Sequence, residues 1–215
     1  MNADELRHAL RDVRDGMSND HATRLHRAVS WLQCAEQYAE ADEDMALIAL
    51  WISFNSCYAV NDGATDHTFG RDFREFAAKL VRLDEDERIY NCLWFNFSNF
   101  IRLLIDNQWV FEPFWRSLRD GNDEWQALFE DDKKKAHRAL ADNDVPRLLT
   151  IIMHRLYTLR NQVVHGGATW QSSANRDQVR DGKRLMLELM PIIIELMFDE
   201  REDWGRIHYP YVKSV

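Results

Sequence analysis

The residues of this chain best placed to do chemistry are Arg160 and His165, in the run Arg160-Asn161-Gln162-Val163-Val164-His165-Gly166-Gly167. A guanidinium offers a flat fork of donors to a phosphate and to charge developing on it. An imidazole titrates near neutrality and can take or give a proton. Together they suit cleavage of a phosphodiester, which points to RNA. Asn161 and His165, four residues apart, share one face of a helix, whereas Arg160 and His165 lie about 140° apart around it. Spacing alone is not selective: Arg14 and His21, Arg147 and His154, and Arg201 and His208 repeat a looser form of it. Context separates Arg160 and His165 from these, because they close a helical pattern whose apolar side is complete without them. The plain alternative is that His165 caps carbonyls at the helix end and Arg160 is a surface residue.

The elements that must position this pair are helical. Pro146 suits a first turn. Leu148, Leu149, Ile152, Leu156, Leu159 and Val163 then form a continuous apolar stripe, and Gly166-Gly167 stops the helix. Thr169 to Ala174 is a short polar connection. Asn175 to Met197 is the last long helix, with Pro191 expected to kink it. Asn175, Arg176, Asp177 and Arg180 open that helix beside the motif, where they would either bind phosphate or cap the helix.

Earlier in the chain, His21 to Ala41 sets Leu25, Val29, Leu32 and Ala35 at helical spacing. Glu43 to Val60 is a strongly apolar helix in which Asn55 and Tyr58 are the polar positions, and a loop at Asn61-Asp62-Gly63 follows. Phe69 to Leu83 is helical again. Asp84 to Ile105 is rich in aromatics, Trp109 to Trp115 reads as a loop packed on that core, and Asn122 to Ala141 as a charged surface helix. No segment alternates with period two. The expected class is therefore all-α, a bundle of long antiparallel helices.

Composition narrows the rest. A chain of 215 residues fits one domain. A net charge of −9 disfavours indiscriminate binding to long nucleic acid, yet Val145 to Met190 carries seven basic and three acidic side chains, a local balance of +4. Three cysteines without metal spacing point to a reduced, cytoplasmic setting. Leu185 to Phe198 is interrupted by Glu188, Pro191 and Glu195, so it reads as a core helix and no membrane span is expected. The charged start MNADELRHALRDVRD is not a signal peptide. There is no phosphate-binding glycine loop, dinucleotide fingerprint, zinc spacing or nucleophile elbow. Neither a metal nor an organic cofactor is expected.

Arg160-Asn161-Gln162-Val163-Val164-His165 resembles the Arg-x4–6-His signature of HEPN domains, including the frequent polar residue directly after the arginine. The following GGATWQSSANRDQVRDG resembles the connection and last helix of stand-alone bacterial members, and ALIALWISFNSCYAV their apolar second helix. The resemblance covers residues 20–200, and its specific part 157–182. It implies a single HEPN-like domain over 1–215, with a core at about 20–200 and a tail at 201–215. It implies a bundle of four to five long helices with extra short ones, and a homodimer with two motifs facing each other. It also implies metal-independent RNA cleavage, leaving a 2′,3′-cyclic phosphate and a 5′-hydroxyl. His165 would handle the proton, Arg160 would stabilise the phosphate and Asn161 would orient His165 or the substrate. The substrate would be RNA, tRNA included, and the setting that of a toxin or anti-phage effector with an antitoxin or defence partner. Arg176, Arg180 and Asn175 would add substrate contacts. Toxins of this fold silenced by nucleotidylation carry a tyrosine two residues after the histidine. Here that position is Gly167, so that control is not expected. A non-catalytic HEPN-like binding or scaffold module is the alternative.

Overall fold

The computed structural model describes residues 1–59, 69–173, 175–199, 201–207 and 209–210, with backbone alone for 69–72. The expected loop at Asn61-Asp62-Gly63 lies outside the described residues. Among the described residues there are ten α-helices and no strand.

α1 (Ala3–Val13) begins in a capping box. Asn2 Oδ1 accepts from Glu5 N at 2.9 Å, and Glu5 Oε2 accepts from Asn2 N at 2.8 Å. α2 (Asn19–Tyr38) is capped by Ser18 and buries the expected Leu25, Val29, Leu32 and Ala35. α3 (Glu43–Tyr58) starts at Asp42, whose carboxylate accepts from Met45 N at 3.0 Å. It ends two residues before the expected Val60. α3 is covered on one side by α2 and on another by α10 (Arg176–Leu196), which is why its apolar residues surround the helix instead of forming a stripe.

α4 (Phe69–Leu83) packs along α9 (Val145–Val164). The aromatic-rich stretch breaks into α5 (Arg88–Asn91), a π-helical segment at Cys92–Asn96 and α6 (Ser98–Ile105). The buried core runs beyond residues 20–200 at both ends, taking in Ala3, Leu6, Leu10 and Trp204.

One expectation is corrected here. Trp109 to Trp115 is not a loop: a 3₁₀ turn at Gln108–Val110 leads into α7 (Glu112–Asp120), with Pro113 in its first turn, where its missing N–H costs nothing. α7 packs against α8 (Trp125–Ala141) through Phe111, Phe114 and Phe129, an aromatic cluster separate from the main core. α10 runs through Pro191 as one helix with the proline buried. Gly182 is where α10 crosses α9 closely. A Cβ there would lie 2.9 Å from Leu156 Cδ2. Among the described residues, no helix is long and apolar enough to cross a membrane.

Candidate active site at the end of α9

α9 starts at Asp144, whose side chain accepts from Arg147 N at 3.2 Å. The expected stripe then holds it down: Leu148, Leu149, Ile152, Leu156 and Leu159 are buried, and Val163 packs at the edge of the core. At the other end His165 is the capping residue, and its N–H donates to Asn161 O at 2.9 Å. Gly166 turns left-handed at φ +72°, and Gly167 N donates back to Gln162 O at 2.8 Å. This six-to-one bond closes the helix. The glycine pair thus leaves the His165 side chain exposed at the rim rather than under a continuing helix.

His165 and Asn161 line one cleft of about 650 Å³, walled by Trp109, Trp115 and Arg119. Gln162 fastens the floor. Its Nε2 donates to Trp109 O, and its Oε1 accepts from Asn175 Nδ2 at 2.6 Å. Trp109 O also accepts from Trp115 Nε1 at 2.7 Å, and the two indoles stand 6.0 Å apart. Trp109 is 47% exposed. A half-exposed indole held by its backbone offers a flat face on which a base can stack.

Arg160 is not among the residues lining that cleft, as the 140° offset requires. It reaches the site through its neighbour, with Arg160 Nη1 donating to Asn161 Oδ1 at 2.8 Å. Because a guanidinium only donates, this bond fixes the amide orientation. Asn161 lines the cleft, and its Nδ2 has no hydrogen-bond partner among the described residues. That nitrogen is a donor, suited to a phosphate oxygen rather than to a protonated imidazole. Arg160 itself has no carboxylate partner among the described residues.

The second expected group divides. The side chain of Asn175 does not cap α10: the residue sits left-handed at φ 56° and spends its amide on Gln162, so it joins the cleft wall. Arg176 pairs with Asp44 at 3.0 Å and Glu43 at 3.5 Å. These contacts, the hydrogen bond to Asp44 first, raise its pKa further. Arg180 is exposed and pairs with Asp177 at 3.0 Å and Asp181 at 3.1 Å. Neither arginine lines the His165 cleft. The local +4 of the sequence is thus largely cancelled in space, since Lys183 also meets Glu43 at 3.6 Å and Arg155 meets Asp132 at 2.7 Å.

The tryptophan wall was missed in sequence. Its signal was Pro113 inside Trp109-Val110-Phe111-Glu112-Pro113-Phe114-Trp115, a helix start in an aromatic setting. Asn55 and Tyr58 do not join this site; Tyr58 stacks on Phe54 with ring centres 5.0 Å apart. Among the described residues no group of three or more His, Cys, Asp and Glu could hold a metal ion. Cys57 and Cys92 are buried thiols, each pushed up to about 12, chiefly by burial. Set against models of known protein families, curated proteins and solved structures, the chain matches none.

Proposed function

We propose that this protein is a metal-independent endoribonuclease of HEPN type, working in a toxin or anti-phage defence setting as a homodimer. The observation that carries the reading is the cleft itself. It joins an exposed imidazole, an amide donor locked by an unneutralised arginine, and two indoles able to hold bases.

In the step proposed, the RNA 2′-oxygen attacks the adjacent phosphorus and the P–O5′ bond breaks. One proton leaves the 2′-hydroxyl and one arrives at O5′, so a 2′,3′-cyclic phosphate and a 5′-hydroxyl form without any redox change. Arg160 and Asn161 Nδ2 favour the charge that builds on the phosphate. His165 carries one proton transfer. Each cleft has one such imidazole, so His165 of a second copy is the natural carrier of the other, which is the chemical argument for a composite dimer site.

Purified protein should cleave total cellular RNA and tRNA in EDTA, leaving those ends. His165→Ala should lower the rate about 10²–10⁴-fold while the chain stays folded. Cleavage by His165→Ala at the wild-type rate would overturn the reading.

The second reading, a non-catalytic binding module, is favoured by one patch. Phe95, 69% exposed, meets Tyr90 edge-on at 5.8 Å, and Tyr90 stacks on Trp94 at 4.7 Å. Exposed aromatics of this kind suit a protein interface. That reading expects a stable protein complex and no RNA turnover.

A further inference from the structure

One face of α9 carries more than the motif. Arg147, His154, Thr158, Asn161 and His165 fall within about 60° of arc at 100° per residue. Arg147 and His165 are five turns apart, a run of about 27 Å. The cleft at His165 occupies one end of this face. A second groove of about 490 Å³ occupies the other, lined by Arg74, Arg147, His154 and Arg155 with Tyr157 and Phe111. Glu112 and Thr158 line both, so the two adjoin.

The charges in the second groove are unevenly used. Arg155 is 2% exposed, bound to Asp132 at 2.7 Å, with its guanidinium 4.5 Å over the Phe111 ring. It is a fastener, although its Nε has no hydrogen-bond partner. Lys135 is engaged by Asp131 at 2.5 Å, and Glu112 lies near Arg116 and Arg119 at 3.7 and 3.8 Å. Arg74 and Arg147 are exposed and have no ion pair among the described residues. Arg147 also sits in the first turn of α9, where the helix dipole disfavours a cation. Two unspent guanidiniums in a groove also lined by Tyr157 form a site for phosphates joined to flat bases.

We propose that this groove carries the RNA strand beyond the scissile phosphate, with Arg147 and Arg74 holding its backbone phosphates. The proposal rests on the ribonuclease reading above, and it gives the enzyme a footprint of several nucleotides running along α9 from His165 toward Arg147.

The test measures binding of a single-stranded 2′-O-methyl RNA of about 10 nucleotides. Methylation of the 2′-oxygen blocks its attack, so binding is read without turnover. Arg74→Gln/Arg147→Gln should weaken binding about tenfold at low salt and make the salt dependence shallower by about 1.4 in log–log slope, for two lost phosphate contacts. Arg201→Gln removes the same kind of charge from the pair with Asp199 and Glu85. It should leave affinity and slope near wild type. If the wild type binds and cleaves RNA and the double variant binds equally well, the groove proposal is wrong and the ribonuclease reading stands. If the wild type neither binds nor cleaves, both are wrong. If the double variant loses affinity while His165→Ala still cleaves at full rate, the groove stands as an RNA site and the HEPN-type reading built on His165 falls.

Discussion

The end of α9 and the start of α10 are tied by one hydrogen bond, Asn175 Nδ2 to Gln162 Oε1, and they carry arginines that are indistinguishable in sequence. In space they differ. Arg176 lies between Glu43 and Asp44, and Arg180 between Asp177 and Asp181. Among the described residues, Arg160 meets only the neutral amide of Asn161. A guanidinium matched by carboxylates is a fastener: its field is cancelled at short range and its donors are filled. A guanidinium held by an amide keeps its charge for an incoming anion while losing some of its freedom to move. The same distinction separates Arg155, bound to Asp132, from Arg147 on the same helix. Charge counted along a chain and charge available to a ligand are different quantities.

The sharpest way to break this comparison is a matched pair of substitutions. Arg160→Met should cut RNA cleavage about 10²–10³-fold, the usual cost of removing one donor from a developing oxyanion. Its melting temperature should stay near wild type. Arg176→Met should show mainly a stability loss, because it leaves Asp44, with a side chain 6% exposed, short of its cation. Asp44 keeps the bond from Gln171 N at 2.8 Å, so the loss is about 2 kcal/mol, or about 4–8 °C. Its effect on cleavage per folded molecule should be far smaller than that of Arg160→Met. Thermal melts and initial rates on both variants decide it. A reversed pattern would mean that Arg176, not Arg160, serves the phosphate.

Asn161→Asp sharpens the comparison from the other side. It gives Arg160 the carboxylate that Arg176 already has, changing one atom group and no shape. The melting temperature should hold or rise, while cleavage falls at least roughly tenfold, since a charge-assisted contact to the phosphate is lost and an anion faces the substrate. Affinity for the uncleavable RNA should fall with it. A merely structural Asn161 would show the stability change without the fall in affinity, so the two readouts together test its role as a positioning residue and donor.

The residues that set these outcomes were unequally legible in sequence. α9 could be read nearly to its ends, because its apolar spacing, Pro146 and the glycine pair are local signals and nothing in the tertiary structure competes with them. The same signals placed His165 at the helix end and predicted that Arg160 would face away from it. The all-α class followed equally directly. What paired with Arg176 could not be read, since Asp44 lies 132 residues away and only the packing of α10 on α3 brings it near. The aromatic wall was hidden for a different reason. Trp109 to Trp115 carries a single charged residue, Glu112, and is too short to show a helical period by itself, and the aromatic cluster that fixes it is completed by Phe129, from α8.

The smallest effect concerns how the helix end holds His165. Gly166 and Gly121 both end helices in the left-handed region, at φ +72° and +69°, and an added Cβ would meet nothing within 4 Å at either. Alanine at each position therefore carries a purely conformational cost of about 1–2 kcal/mol. For a chain of this size that lowers the melting temperature by about 2–8 °C. The two variants should lose equal stability, because the strain is the same. They should differ in activity. Gly166 sets the direction in which the chain leaves His165, and loosening that turn frays the N–H bond from His165 to Asn161, so Gly166→Ala should lose cleavage several-fold more than Gly121→Ala. Rates measured well below both melting temperatures isolate this difference. Equal rates would show that the imidazole works from a flexible end, and that the aromatic wall rather than the helix terminus brings the RNA to it.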